Sequence, residues 1–211
     1  MKLILATKNQ GKLAEMQELL ADLPFELVSL ADYPQLPEIE ETGESFAENA
    51  AIKAETVLRA TGELVLADDS GLEVDALGGR PGIYSARFAG LGRGDKANNQ
   101  KLLSELAGVA KKERTARFRT VVAIAAPGRK TVFAAGSVEG LIAEEEEGNG
   151  GFGYDPLFYL PAADKTFAQM TPQEKNLISH RAEALAKAKE ILRAIAAEIL
   201  KQDRAKQDGA K

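Results

Sequence analysis

Short apolar runs alternate along the chain with segments whose apolar residues recur at helical spacing. Residues 3–7, 26–30 and 64–67 have the length and composition of strands buried in a sheet. Residues 12–21 carry leucines and a methionine on one helical face, and a capping box at residues 45–48 opens an Ala-rich helix. The alternation of strands and helices predicts an α/β fold.

The second half of the chain has a different pattern. Two apolar runs, 118–125 and 131–138, flank a Pro-Gly turn and predict an antiparallel hairpin. Asp95 is expected to cap a helix, and a long helix is expected from about Ser179 to about Leu200. The hairpin could form a second lobe, which would leave a cleft between itself and the first.

Length and composition limit the class of protein. The chain has 211 residues, of which 45% are apolar, and predicts one domain, or one domain with an inserted lobe, over residues 1–200, with a polar tail over 201–211. It has no cysteine and one histidine, which excludes disulfide frameworks, thiolate zinc sites and sites that need two imidazoles. A net charge of −5 argues against nucleic-acid binding, and no apolar run suits a membrane span. The first apolar run is too short for a signal peptide, so we expect a cytoplasmic protein.

The first candidate for chemistry is a turn between a predicted strand and a predicted helix. Its sequence is Thr7-Lys8-Asn9-Gln10-Gly11-Lys12. Free backbone N–H groups at a helix start, together with the charge of Lys12, suit a phosphate chain. The segment is not a Walker A loop, because the upstream glycine is missing and Leu13 replaces the metal-binding hydroxyl residue. The alternative is a plain strand–helix turn with a surface lysine.

The second candidate is a pair of acids at the end of an apolar strand. Asp68 and Asp69 are followed by a predicted turn, at the edge of the sheet where α/β proteins bind ligands. Neighbouring side chains on an extended chain point in opposite directions, so one acid can face a cleft while the other anchors the turn. Carboxylates suit Mg²⁺, and the acidic run at Glu38, Glu40 and Glu41 could deliver another from a loop. The alternatives are an Asx-turn and a solvated acidic face.

Two further groups could contact a nucleotide. Residues 148–153 match the pattern GxGxxG, but four glutamates rather than a strand precede them, so we read a loop that presents Phe152 and Tyr154. These rings could stack on a base, or both could belong to the core. Lys175, His180 and Arg181 lie around a helix start, where cations oppose the helix dipole and favour an anionic partner. A structural role is the alternative for the histidine.

An ordered set of motifs resembles one family closely. It comprises residues 7–12, 40–43, 46–50, 67–72, 78–87, 152–156 and 179–181. Together these segments are similar to those of the inosine/xanthosine triphosphate pyrophosphatases, which remove deaminated purine nucleotides from the nucleotide pool. The likeness spans about residues 3–200, with Lys8 as a local difference where many relatives have a small residue.

The resemblance implies a fold, a reaction and a cofactor. The fold is a two-lobed α/β structure in which a central mixed sheet is flanked by helices and the site lies between the lobes. The reaction hydrolyses a purine nucleoside triphosphate, preferably ITP, dITP or XTP, to the monophosphate and pyrophosphate. Mg²⁺ is the implied cofactor and a homodimer is the implied assembly.

The resemblance also implies roles for individual residues. Asp69 would be the general base and a metal ligand, and Glu40 would be the second metal carboxylate. Residues 7–12 would hold the triphosphate together with Lys53. The remaining nucleotide contacts would be Ser70, Phe152, Gly153, Tyr154, Asp155, Lys175, His180 and Arg181.

Two alternative functions stay open at this point. The first is a Mg²⁺-dependent nucleotide hydrolase of broad substrate range, which would turn over all triphosphates comparably. The second is a nucleotide-binding regulatory module without turnover. The acidic pair argues against the module, because tight binding of phosphates gains nothing from extra negative charge.

Overall fold

The computed structural model describes residues 1–36 and 38–208, with side chains up to Lys201. Its helices are α1 (Gln10–Leu19), α2 (Phe46–Thr61), α3 (Gly94–Glu105), α4 (Pro172–Ile178) and α5 (His180–Asp208). Its strands are β1 (Lys2–Leu5), β2 (Glu26–Ser29), β3 (Leu64–Val74), β4 (Thr115–Ala125), β5 (Val132–Ile142), β6 (Phe158–Leu160) and β7 (Lys165–Thr166).

These strands form one mixed sheet in the order β2-β1-β3-β4-β5-β6-β7. β1 is parallel to β2 and β3, and each later pairing is antiparallel. The predicted α/β class is therefore confirmed, and so is the predicted hairpin, which is β4 and β5. The hairpin does not form a sheet of its own, because β4 pairs with β3 along almost its whole length.

The period-two alternation of the strands assigns their side chains to two packed faces. Leu66 of β3 and Val122 of β4 belong to the core that α1 and α5 cover. Ala67 and Ala123, one residue further along each strand, belong to the core that α2 covers. Consecutive residues of β3 therefore meet different helices, which decides the surroundings of Asp68 and Asp69.

A cleft opens where β1 ends and β3 continues. The last bond between the two strands runs from Ala6 N–H to the Leu66 carbonyl, at 2.8 Å. Beyond it the edge of β3 faces a 3-10 segment, Gly82–Arg87, in which the Ser85 hydroxyl accepts the N–H of Leu72 at 2.9 Å. The resulting cavity has a volume of about 440 Å³. It is lined on one side by residues of the β1–α1 turn and of β3, and on the other by the Gly82–Arg87 segment, Asp95 and residues 152–155.

Two local expectations were wrong. Residues 69–71 do not form a turn: β3 continues to Val74, because Asp69 pairs with Val121 of β4 and the residues that follow keep this register. Asp95 is not a helix cap, because α3 already begins at Gly94; the carboxylate of Asp95 instead accepts the N–H of Gly153 at 2.7 Å.

The last helix is longer than predicted. α5 continues past Leu200 to Asp208, so it includes most of the predicted polar tail, and residues 209–211 lie outside the described residues. In the part of the chain that the structure describes, no helix combines the length and the hydropathy that crossing a membrane requires.

Candidate active site

The turn between β1 and α1 forms one wall of the cleft. Asn9 caps α1, since its side-chain oxygen accepts the N–H of Lys12 at 3.0 Å, and the Thr7 hydroxyl accepts the N–H of Asn9 at 3.2 Å. These two bonds shape the loop so that Thr7, Lys8, Asn9 and Lys12 line the cavity. Gln10, which was predicted to hold phosphate with them, does not line it.

Asp68 faces α1 and α5 and is surrounded by cations. One of its oxygens, Oδ2, lies 3.1 Å from Nζ of Lys12 and 3.3 Å from Nη2 of Arg181, and accepts the Ser70 hydroxyl at 3.2 Å. Burial alone would raise the pKa of Asp68, but the charges of Lys12 and Arg181 outweigh it and hold the pKa far below its usual value. Asp68 therefore stays ionised and orients the two cations.

Asp69 faces α2 and has weaker partners. Its Oδ1 lies 3.4 Å from Nζ of Lys53, and its Oδ2 accepts the side-chain amide of Asn49 at 3.2 Å. Burial raises the pKa of Asp69; Lys53 opposes this shift, while the negative charge of Glu41 reinforces it. Asp69 also lines the cleft, so it is the acid of the pair that can take up a proton there.

A second carboxylate of the cleft comes from Glu41, not from Glu40. Oε1 of Glu41 lies 2.6 Å from Nζ of Lys53, and its other oxygen lies 3.6 Å from Arg87. Glu41 lines the cavity, whereas Glu40 is exposed and does not line it. Glu41 and Asp69 thus share the ammonium of Lys53, which shows that a cation fits between them. Sequence reasoning named Glu38, Glu40 and Glu41 together as a possible source of this carboxylate, because adjacent acids in a loop give no signal of which one points inward, and only the resemblance singled out Glu40.

Glu15 of α1 connects two predicted nucleotide contacts. Its Oε1 lies 2.8 Å from Nζ of Lys175, and its Oε2 accepts a hydrogen bond from Arg181. Lys175 in turn lies 2.6 Å from Oδ2 of Asp155. Sequence reasoning missed Glu15, although its position three residues after Lys12 on α1 places both on one helical face.

His180 is a buried, neutral imidazole. Its ring stacks on Phe118 with centroids 4.7 Å apart, and the side chain is 4% exposed. Burial lowers the pKa of His180 well below its ordinary value, and the charge of Arg181 lowers it further. Among the described residues neither Nδ1 of His180 nor Nε of Arg181 has a hydrogen-bond partner, although both side chains line the cleft.

The two aromatic residues of the glycine-rich loop have different positions. Tyr154 belongs to the core, and its hydroxyl donates to the Ser85 carbonyl at 2.8 Å. Phe152 is half-buried at the cleft, with Nζ of Lys175 4.6 Å from its ring centroid. A side chain at Gly11 would overlap the Phe152 ring, so Gly11 allows this loop to approach α1 although it does not line the cavity itself.

The structure brings most of the predicted site residues to one cavity. Those that line it are Thr7, Lys8, Asn9, Lys12, Lys53, Asp69, Ser70, Phe152, Gly153, Tyr154, Asp155, Lys175, His180 and Arg181. Those that do not are Gln10, Gly11 and Glu40.

Comparison with known proteins places the chain in one family. The model of the Ham1 family matches residues 3–191. The dITP/XTP pyrophosphatases of Desulforamulus reducens and Bacillus subtilis are 57% and 53% identical to the chain, over 91% and 90% of it and 96% of each relative. The structure of a HAM1 protein from Coxiella burnetii superposes with a TM-score of 0.84 at 43% identity, covering 92% of this chain and 99% of that one. The chain therefore belongs to the Ham1 family.

Proposed function

We propose that the protein hydrolyses deaminated purine nucleoside triphosphates, namely ITP, dITP and XTP, to the nucleoside monophosphate and pyrophosphate. The names of the similar Desulforamulus and Bacillus proteins support this reaction. The observation that carries the proposal is a single cleft that brings Lys12, Lys53 and Arg181 together with Asp69, a carboxylate whose pKa is raised by burial. Lys12 and Lys53 hold the polyphosphate there, and Asp69 removes a proton from water.

Magnesium is part of this proposal. Asp69 and Glu41 would hold the ion, since both line the cleft and both already contact one ammonium group. The described residues contain no cluster of three metal-binding side chains, which agrees with an ion that completes its shell with water and substrate phosphate oxygens. When bound, Mg²⁺ offsets phosphate charge and polarises the scissile phosphorus.

The residues of the cleft divide the chemical step between them. Asp69 accepts a proton from the attacking water while the oxygen of that water bonds to the phosphorus. The anhydride bond of that phosphorus breaks, and its electron pair leaves with pyrophosphate. Lys12 and Lys53 offset the charge of the polyphosphate throughout, and Asp68 keeps Lys12 in place. The proton on Asp69 returns to solvent when the products leave.

The choice of purine base follows from two buried nitrogen atoms that have no hydrogen-bond partner among the described residues. Nδ1 of His180 and Nε of Arg181 are buried and have no partner in the described part of the chain, so the ligand is proposed to supply one. The N–H of Arg181 can donate to the 6-oxo group of hypoxanthine or xanthine. The 6-amino group of adenine would leave that buried donor unpaired. An unpaired donor of this kind can lower kcat/KM for the wrong substrate by a factor of ~10⁴ or more.

We also propose, from the family resemblance, that the protein acts in the cytoplasm as a homodimer. Analytical ultracentrifugation of the full chain tests the dimer, and a single species of monomer mass at micromolar concentration contradicts it.

The decisive experiment measures pyrophosphate release from ITP, XTP and ATP with and without Mg²⁺. We expect release from ITP and XTP to exceed release from ATP and to stop with EDTA. Comparable release from all three would instead indicate a hydrolase of broad range. Binding of ITP without any release would indicate a nucleotide-binding module.

A further inference from the structure

The side-chain amide of Asn49 connects the two acidic elements of the cleft. Asn49 lies on α2, and its side chain is fully buried. Its Oδ1 accepts the backbone N–H of Gly43 at 2.8 Å, and its Nδ2 donates to Oδ2 of Asp69 at 3.2 Å. One side of this amide therefore holds the loop that carries Glu41, and the other holds the proposed general base.

The orientation of this amide follows from its partners. The N–H of Gly43 can only donate, so the atom facing it must be the amide oxygen. The NH₂ group is thereby directed at Asp69, and it can only donate. An amide fixed at both ends presents its donor to Asp69 in one direction, whereas the ammonium of Lys53 lies 3.4 Å from Asp69 and closer, at 2.6 Å, to Glu41.

The loop lies close against the start of α2. A Cβ on Gly43 would lie 2.7 Å from Cβ of Glu48 and 2.8 Å from Oδ1 of Asn49, so only glycine permits this approach. The N–H of Glu44 also donates to Glu48, at 2.6 Å. The loop therefore has a second attachment to α2 besides Asn49, through Glu48.

We propose that Asn49 is a positioning residue that fixes the carboxylate of Asp69 for proton transfer and metal binding. The inference rests on the proposed function, in which Asp69 is the base. Asn49 does not line the cleft, so it acts through Asp69 and not on the nucleotide. Contacts that orient a metal-binding or catalytic side chain typically change activity by about 10–100-fold when they are removed.

The test compares Asn49→Leu with a matched control, Asn98→Leu. Asn98 is also a buried amide, but it bonds only backbone groups, the Ala89 N–H at 2.8 Å and the Ala86 carbonyl at 3.3 Å. Each variant loses a buried donor and acceptor, so both should lower Tm. We expect kcat for ITP to fall about 10–100-fold in Asn49→Leu alone, with KM unchanged.

Two measurements besides turnover complete the test. The Kd for ITP in EDTA should stay at the wild-type value in Asn49→Leu, and a crystal structure should show the Asp69 carboxylate rotated from its present position. Should Asn49→Leu fail to fold, Asn49→Asp keeps the acceptor for Gly43 but, ionised at alkaline pH, has no donor for Asp69. It should also show a lowered kcat.

A wild-type kcat in either folded variant, an unmoved Asp69, or an equal loss of kcat in Asn98→Leu would overturn the inference. Asp69→Asn separates this outcome from failure of the proposed function. If Asp69→Asn abolishes turnover while Asn49→Leu does not, the function stands and the role of Asn49 is refuted. If wild-type protein releases no pyrophosphate, the function itself has failed.

Discussion

The two faces of β3 place the adjacent residues Asp68 and Asp69 in different electrostatic surroundings. On the side of α1 and α5, Asp68 is 1% exposed and shares one oxygen with Lys12 and Arg181. On the side of α2, Asp69 is 6% exposed and has one distant ammonium and one neutral amide. The pKa of Asp68 is lowered and that of Asp69 is raised.

This difference teaches how one dipeptide can supply two functions. An extended backbone sends neighbouring side chains to opposite faces, so each acid meets a different helix without any special loop. Paired acids whose surroundings push their pKa values apart commonly divide into a charged stabiliser and a proton acceptor. Asp68 thus orients Lys12 and Arg181, and Asp69 is left to take the proton.

The largest expected effect is loss of turnover in Asp69→Asn. The amide keeps the size of the side chain but cannot accept the proton of water, and general base catalysis contributes ~10²–10⁴ in rate. We therefore expect kcat for ITP to fall by that factor while the circular dichroism spectrum and Tm persist. Unchanged turnover in this variant would remove Asp69 from the mechanism.

Asp68→Asn tests the other face of β3, where the acid is surrounded by cations. The substitution leaves Lys12 and Arg181 buried without their shared counter-charge. Removing one partner of a buried ion pair costs about 3–5 kcal/mol, so urea denaturation should show a free energy of unfolding lowered by that amount. Asp69→Asn is the matched control and should cost far less stability. Equal losses in the two variants would contradict the division of roles.

A comparison of Glu41→Gln with Glu40→Gln tests which of the two acids holds the metal ion together with Asp69. Glu41 lies 2.6 Å from Lys53 inside the cleft, whereas Glu40 is exposed outside it. We expect Glu41→Gln to lower kcat about 10–100-fold and to raise the Mg²⁺ concentration needed for half-maximal rate. In Glu40→Gln both kcat and this Mg²⁺ concentration should remain at the wild-type level. The reverse result would restore the role that the family resemblance assigned to Glu40.

Local patterns in the sequence predicted much of the fold. The capping box predicted the start of α2, where the Ser45 hydroxyl accepts the N–H of Glu48 at 3.2 Å. The end of β3 was mispredicted, because Ser70 and Gly71 are typical turn residues and only their pairing with β4 keeps them extended. That pairing depends on residues about fifty positions away, which no local pattern reports.

The candidate site shows the same limit. Lys12, Asp69 and Arg181 were predicted because each belongs to a recognisable motif. Asn49 and Glu15 were not, since their importance lies in the partner that folding brings to them. Asn49 meets Asp69 across twenty residues, and Glu15 meets Arg181 across the whole domain. Asn49 lies in the motif over residues 46–50 and Glu15 lies on the helical face of Lys12, but neither position indicates the distant partner that folding supplies.

The smallest expected effect is a pH dependence of stability that arises from His180, which lies on the same side of β3 as Asp68. His180 faces the cations Arg181, Lys175 and Lys12, which with burial lower its pKa well below 6.5, and Asp68 opposes the shift only in part. Below pH ~6.5 the unfolded chain therefore binds a proton that the folded chain does not. The free energy of unfolding should decrease as pH falls through this window, by at most about 1.4 kcal/mol per pH unit. His180→Gln removes the titrating group, so urea denaturation between neutral and mildly acidic pH should give it a flatter profile than the wild type. Parallel profiles would mean that the folded and the unfolded chain bind this proton equally, which would contradict a His180 pKa lowered by burial and by the surrounding cations.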